Sequence, residues 1–211
     1  MTYQPGTSWR YGPGLDWAGK VIEKVSGRTL GEYFQKHIWT PLGMTNTTFH
    51  PEKRDSFPCL DMGKREDGPG SKLVLGDGCP YPAPAVNEAG GAGVFSCADD
   101  YSKLLSALLD DNGPLLKKDM IEELTRPQLS EAGIAALQEE RERWVLPEIP
   151  QGVTVDHALG GLVTTSDIPN GRPAGAMSWD GMSHPHWVRS PAKQYCHHPF
   201  AILTSSPFTD P

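Results

Sequence analysis

The sequence predicts an α+β fold in which a mainly helical region is followed by antiparallel strands. Apolar residues recur at helical spacing over 15–25 and again over 101–108. Beyond Pro150 the pattern changes to short, β-rich segments separated by turns. Helices first and a sheet last are typical of the α+β class. We therefore expect one domain with a mainly helical and loop region, 1–150, and a mainly β region, 151–211.

The first two helices have clear ends in the sequence. The apolar pattern of 15–25 stops at Gly27, and glycine is the usual residue just after a helix. Thr29 and Glu32 have the spacing of a capping box, in which two side chains satisfy free backbone N–H groups at a helix start. A second helix is predicted from there to the Pro-Leu-Gly-Met segment at 41–44.

The middle of the chain is less regular. Residues 45–91 have little periodicity and many Gly and Pro residues, which predicts a long loop. The Ser-Cys-Ala-Asp segment at 96–99 is a second capping pattern and predicts the start of the next helix. Weaker helices are expected near 117–125 and 131–143.

Short strands are predicted for the rest of the chain. They lie near 153–155, 159–165, 175–179, 186–189 and 200–205. Turn residues such as Pro169-Asn170-Gly171 separate them, so we expect antiparallel neighbours.

Composition excludes several classes of partner. The net charge is −7, and the Lys and Arg residues form no patch, so no nucleic acid is expected. The sequence contains no long apolar run and no basic amphipathic helix, so no membrane partner is expected.

No signal peptide is evident, and the cysteines form no CxxC pair, so we expect free thiols and a cytoplasmic location. These cysteines are Cys59, Cys79, Cys97 and Cys196. No cofactor is predicted.

Two stretches have the spacing of a nucleotide-binding or a catalytic motif but are better explained by local secondary structure. The Gly-x-x-x-x-Gly-Lys pattern beginning at Gly14 is followed by Val21, whereas a phosphate loop needs Ser or Thr there to ligate magnesium. The same residues make a good amphipathic helix. Ser190 and Lys193 have SxxK spacing, but Pro191 and β-rich flanks place them in a hairpin turn and not at a helix start. No GxSxG elbow occurs.

Histidines near the C-terminus offer an alternative function, a metal-binding module. His184 and His186 are two apart, and His197 and His198 are adjacent, so imidazoles could meet on neighbouring strands. No acidic ligand is clearly grouped with them. Histidines at the surface or in turns are the more common outcome.

Three blocks of the sequence resemble class C β-lactamase-like esterases, and most closely the fungal branch that includes transesterases. The blocks are Pro5 to Gly19 with its continuation to Met44, Gly90 to Tyr101, and Gly175 to Trp187. The resemblance implies a β-lactamase/transpeptidase-like fold and a serine esterase or acyltransferase acting on a small-molecule acyl substrate. A role in secondary-metabolite biosynthesis follows from the fungal branch.

By this resemblance Tyr11 is the catalytic tyrosine, which takes part in proton transfer to and from the nucleophile and the leaving group. Pro13 replaces a polar residue that many relatives carry, so no hydrogen bond to a substrate amide is expected from that position. This departure argues against β-lactam substrates.

Trp179-Asp180-Gly181 resembles the third motif of the family, which is Lys-Thr-Gly in β-lactamases. The resemblance implies that this segment and the N–H of Met182 face the substrate oxyanion. Asp180 departs from the small residue that relatives usually have there. The departure matters because a carboxylate beside a developing oxyanion opposes its charge unless it points away.

The SxxK motif of the family lies upstream of the tyrosine motif, and this sequence starts only ten residues before Tyr11. We therefore expect the chain to lack the nucleophile and to be an N-terminally truncated, incomplete fold. The alternative is a non-catalytic remnant that binds a ligand or partner. The oligomeric state is left open.

Overall fold

The computed structural model describes most of the chain outside short gaps. The described residues are 2–55, 59–67, 70–76, 81, 83–111, 113–143, 149–150, 152–181, 185–190, 195–197 and 203–204. They form two compact units. The first unit comprises Met1–Gly12, Leu105–Trp179 and Val188–His197, and the second comprises Pro13–Leu104, Asp180–Trp187 and His198–Pro211.

Helices and strands follow one another in the order that the sequence predicts for the longer elements. The α-helices are α1 (Gly14–Ser26), α2 (Leu30–Phe34), α3 (Thr40–Leu42), α4 (Ala98–Ala107), α5 (Lys118–Thr125) and α6 (Glu131–Arg143). The strands are β1 (Gly63–Arg65), β2 (Leu73–Leu75), β3 (Val155–His157), β4 (Leu162–Thr164), β5 (Met177–Trp179), β6 (Trp187–Ser190), β7 (Tyr195–His197) and β8 (Leu203–Thr204). None of the helices described is long and apolar enough to cross a bilayer.

The second unit opens with α1, whose ends have a local cause. Pro13 precedes the helix, and Gly27 follows it in the left-handed conformation at φ 68°. The Gly27 N–H donates to the carbonyl of Glu23 and so satisfies one of the last free carbonyls. The predicted helix is confirmed with both ends displaced by one residue.

The capping box at the start of α2 is confirmed. The N–H of Glu32 donates to the Thr29 hydroxyl at 3.2 Å, and the N–H of Thr29 donates to the Glu32 carboxylate at 3.0 Å. The predicted single helix is not uniform, because Gln35–Trp39 forms a π-helical turn between α2 and α3. Gly43 then ends α3 in the left-handed conformation. The core around these helices consists of Leu30, Trp39, Met44 and Phe49.

Two glycines let a loop approach α1 closely. A side chain at Gly90 would overlap the carbonyl oxygen of Leu15, and one at Gly91 would contact Asp16. The N–H of Gly91 donates to the Asp16 carboxylate at 2.8 Å. The Gly90-Gly91 pair, which opens the second block of the resemblance, therefore has a packing reason.

The helix start predicted at 96–99 is confirmed, because α4 begins at Ala98. Asp100 is buried and its carboxylate accepts from the Thr47 hydroxyl at 2.9 Å. Because Thr47 has one hydroxyl proton, the Ser96 hydroxyl donates to Thr47 at 2.9 Å. The carbonyl of Cys97 accepts from the N–H of Tyr101 as α4 begins. Cys97 is a partly buried free thiol beside this helix start.

The region expected to be an unbroken loop contains a small sheet. β1 pairs antiparallel with β2, and β8 pairs parallel with β1, in the order β2-β1-β8. The predicted strand near 200–205 is therefore not an antiparallel member of the C-terminal sheet. Its partner lies in a segment without a period-2 signal, so this pairing could not be predicted from the sequence.

The first unit is built on a five-stranded sheet in the order β3-β4-β5-β6-β7. β3 pairs antiparallel with β4, β4 with β5, and β6 with β7. Its buried core consists of Leu137, Ile149, Val155, Leu162 and Ile168. Trp9 and Trp179 pack against this core and have partly exposed rings.

Candidate active site

Tyr11 and Trp179 are in direct contact. Their rings are stacked, with centroids 6.2 Å apart and an angle of 11° between the planes. Tyr11 is 57% exposed, whereas Trp179 is half-buried at the end of β5. Met177, on the same strand, is buried, and this anchors the strand that carries the indole. The structure thus brings together the N-terminal and C-terminal residues that the sequence analysis singles out.

His157 also contacts the Trp179 ring. Its imidazole meets the Trp179 indole edge-on, with centroids 5.5 Å apart and planes at 70°. Trp9 lies against the same imidazole with centroids 5.6 Å apart. We call Trp9, Tyr11, His157 and Trp179 the aromatic cluster.

The imidazole of His157 is held in one orientation. Its Nδ1 is 2.6 Å from the carbonyl oxygen of Ala158. A carbonyl only accepts, so Nδ1 carries a proton in this contact. Burial lowers the pKa of the His157 imidazole, although the hydrogen bond to Ala158 and the charge of Asp156 favour the protonated form. At neutral pH the ring is therefore uncharged, with Nε2 as its unprotonated nitrogen.

The backbone at His157 is anchored by a buried carboxylate. Asp156 is 4% exposed and its Oδ1 accepts from the N–H groups of Gln128 and Leu129 at 3.1 Å and of His157 at 2.7 Å. The carbonyl of His157 accepts from the N–H of Gln128 at 3.2 Å. These bonds join β3 to the segment that leads into α6.

The remaining residues of the third motif are only partly described. Asp180 is half-buried and Gly181 is exposed. A side chain at Gly181 would meet the ring of Pro185 at 3.2 Å. Met182 lies outside the described residues.

Ser190, the serine of the SxxK spacing, is the last residue of β6. It is 1% exposed and pairs with Tyr195 of β7. Its Oγ has no hydrogen-bond partner among the described residues. Lys193 lies outside that part of the chain. A buried serine at the end of a strand differs from the helix-start serine that SxxK chemistry needs.

The histidines considered for a metal site are largely outside the described residues. His184 and His198 are not described, and of His197 only the backbone is. His186 is half-buried. Within the described ranges, no three His, Cys, Asp or Glu side chains are grouped so that they could hold a metal ion.

Sequence reasoning missed Trp9 and His157. Both have a signal in the sequence, since Trp9 lies two residues before Tyr11 and His157 lies in the mainly β region, between the strands predicted near 153–155 and 159–165. Neither signal says which ring packs on which, because that depends on how distant segments meet.

The fold has the helices and antiparallel sheet of the β-lactamase/transpeptidase type. A mutant of simvastatin synthase from Aspergillus terreus superposes on the whole chain with a TM-score of 0.90 at 30% identity, over 53% of its own length. The model of the Beta-lactamase family matches residues 1–208. The chain belongs to the Beta-lactamase family.

Curated relatives are named as fungal acyl-transfer enzymes. Lovastatin esterase of Penicillium rubens is 34% identical over 187 residues, which are 86% of this chain and 47% of that protein. Monacolin J acid methylbutanoyltransferase of Aspergillus terreus is 30% identical over 219 residues, 98% of this chain and 51% of that protein. The chain spans about half the length of the curated relatives it matches.

Proposed function

We propose that this chain forms part of a serine esterase or acyltransferase of fungal secondary metabolism, which moves an acyl group to an alcohol or to water. The observation that carries the proposal is the stack of the exposed Tyr11 on Trp179. Family membership and the names of the relatives support the same class of reaction.

Tyr11 is the proton-transfer group in this proposal. Its exposed phenol is accessible to a substrate, and the indole of Trp179 limits the positions of its ring. The phenolic oxygen would take the proton of the nucleophilic serine and return it to the leaving group. A fixed ring direction matters because proton transfer needs donor and acceptor within hydrogen-bond reach.

Trp179, Asp180, Gly181 and Met182 form the oxyanion and substrate side of the proposal. A backbone N–H from this segment would stabilise the negative charge that develops on the acyl oxygen. Gly181 has no side chain to obstruct an acyl group. The carboxylate of Asp180 must point away from that oxygen, since two negative charges at close range repel.

Ser190 is not the nucleophile in this proposal. Its Oγ is buried at the end of a strand, and a serine needs an adjacent base to become nucleophilic. In the proposal, the nucleophilic serine and its lysine lie outside the residues that the structure describes.

Esters are the proposed substrates, in preference to β-lactams. Pro13 makes no side-chain hydrogen bond and has no backbone N–H to donate. A substrate amide gains no polar contact from this position, and an ester needs none.

The test is ester hydrolysis by the natural protein that contains this sequence. Tyr11→Phe should lower kcat for a small activated ester by about a hundredfold or more, the scale of losing a general acid or base. The matched control is Tyr33→Phe, which removes the hydroxyl of a tyrosine whose ring packs on His37 in the second unit, and its rate should stay near that of the wild type. An unchanged rate for Tyr11→Phe would exclude Tyr11 from the reaction.

A further inference from the structure

In the aromatic cluster, Tyr11 contacts Trp179, and Trp179 in turn contacts His157. The Tyr11 ring lies on the face of Trp179, and the imidazole of His157 meets Trp179 at 5.5 Å and 70°. His157 does not need to touch Tyr11 to affect it. Any change in the plane of the Trp179 indole changes the surface on which the Tyr11 ring lies.

His157 is well suited to fix that plane. Edge-to-face contacts between aromatic rings have a preferred geometry and stabilise beyond the area they bury. The imidazole itself cannot rotate freely, because its Nδ1–H donates to the Ala158 carbonyl at 2.6 Å. Trp9 packs on the same imidazole, with ring centroids 5.6 Å apart. The ring is thus held by one hydrogen bond and by two indoles.

The support continues into the backbone. The buried carboxylate of Asp156 accepts the N–H of His157 and also the N–H groups of Gln128 and Leu129. β3, which carries His157, pairs with β4. The position of the imidazole therefore depends on the sheet and on the segment between α5 and α6, to which Asp156 is bonded.

We propose that His157 is a positioning residue: through Trp179 it sets the direction of the Tyr11 ring and hydroxyl. The geometric part of the proposal does not depend on the reaction. Its consequence for catalysis rests on the proposed function, in which Tyr11 transfers protons.

Two substitutions separate the two properties of the imidazole. His157→Phe keeps a ring that can meet Trp179 edge-on but removes the donor to Ala158. His157→Asn keeps an N–H donor near the position of Nδ1 but removes the ring. His157→Ala removes both. If ring contact is what orients Trp179, the Phe variant should resemble the wild type more closely than the Asn variant does.

The measurement is NMR of the 211-residue chain with labelled tyrosine rings, in which Tyr11→Phe identifies the Tyr11 signals. The Trp179 ring current displaces these signals in the wild type. We expect His157→Ala and His157→Asn to lose most of that displacement and His157→Phe to keep more than half of it. The signals of Tyr33, whose ring packs on His37 at 4.4 Å, should not move.

His37→Ala is the matched control, because it removes an imidazole from a tyrosine in the second unit. It should move the Tyr33 signals and leave those of Tyr11 in place. The proposal is overturned if Tyr11 keeps its displacement in a folded His157→Ala chain. Should that variant unfold, the other two decide, and equal displacements in His157→Asn and His157→Phe contradict the proposal.

A kinetic measurement on the natural protein tests the catalytic consequence separately. His157→Ala should lower kcat by about tenfold to a hundredfold, the range expected when a reacting group is displaced by up to an ångström, while KM changes little. His157→Phe should restore most of the loss. If Tyr11→Phe retains full activity, the proposed function fails, but the NMR result still decides whether His157 orients Tyr11.

Discussion

Tyr11 lies flat on Trp179, with an angle of 11° between their rings, although the two residues come from opposite ends of the chain. Tyr11 belongs to the segment before α1, and Trp179 ends β5. Both are parts of the same compact unit. The contact therefore does not depend on how the two units are arranged, and it is the firmest geometric feature of the candidate site.

Acid should destabilise the protein partly through His157. Burial lowers the pKa of this imidazole in the folded state, so the unfolded state binds the proton more readily. The stability contributed by the neutral ring is complete above its ordinary pKa of about 6.5 and is lost as the pH falls through that value towards the folded pKa. Urea unfolding between about pH 7.5 and pH 5 should therefore show a smaller loss for His157→Phe, which cannot be protonated. Identical pH slopes for His157→Phe and the wild type would contradict the lowered pKa of His157.

Asp100 should be important for the stability of the second unit. Its side chain is fully buried and accepts from the N–H of Asn46 at 2.6 Å, the Thr47 hydroxyl at 2.9 Å and the Lys103 ammonium at 2.9 Å. Burial raises the pKa of Asp100, but these hydrogen bonds and the Lys103 charge outweigh it, so the pKa lies below its ordinary value. The contribution is present above the ordinary pKa of an aspartate and is lost as the pH falls through the folded value.

Asp100→Asn should lower the free energy of unfolding by about 2–4 kcal/mol, because the buried donors lose a charged acceptor. Asp99→Asn is the matched control on the same helix, where the side chain is 80% exposed and the change should be small. Denaturant unfolding of both variants makes the comparison. Equal effects would show that the buried hydrogen bonds do not stabilise this unit.

Gly90 should not tolerate a side chain. A Cβ there would overlap the carbonyl oxygen of Leu15 in α1, so the backbone of α1 or of the Gly90 loop would have to shift. We expect Gly90→Ala to cost about 1–3 kcal/mol of unfolding free energy, the range for overpacking. Gly14→Ala has no atom within 4 Å of the new Cβ and should be neutral or slightly stabilising. A thermal unfolding midpoint for Gly90→Ala that matches that of Gly14→Ala would refute the close approach.

Ser190 should be inert as a nucleophile and dispensable for stability. Its buried Oγ has no partner among the described residues, so Ser190→Ala removes a desolvated hydroxyl at little or no cost. Its free energy of unfolding should stay within about 1 kcal/mol of the wild type or exceed it. The free energy of unfolding is compared with that of Ser178→Ala, which changes another buried serine in a strand. Intact-mass spectrometry after treatment with a phosphonate should find no adduct on Ser190, and such an adduct would reverse this assignment.

Local interactions explain what the sequence predicts well. The bounds of α1 follow from apolar spacing and from Gly27, and the start of α2 follows from Thr29 and Glu32, which are three residues apart. Hydrogen bonds across so few residues need no help from the rest of the chain. The π-helical turn at Gln35–Trp39 has no such local signal.

Pairings between distant segments could not be predicted. β8 joins β1 across most of the chain, and the donor of the Ser96 hydroxyl bond is decided by how Thr47 meets Asp100. The sequence of one segment in such a pair does not specify which distant segment it will contact. Closing a long loop costs conformational entropy that only the finished packing offsets, so the partner is chosen by the whole unit.

The sequence by itself determined the fold class, the order of the main helices and strands and, through three ordered blocks of residues, the family. It also singled out Tyr11 and Trp179 one at a time, because each belongs to a local motif. Only the tertiary structure decided that these two rings stack, that His157 meets the indole edge-on and that Gly90 meets the backbone of α1. Motifs depend on neighbours along the chain, whereas ring contacts and close backbone approaches depend on side chains from segments that meet only after the unit has packed.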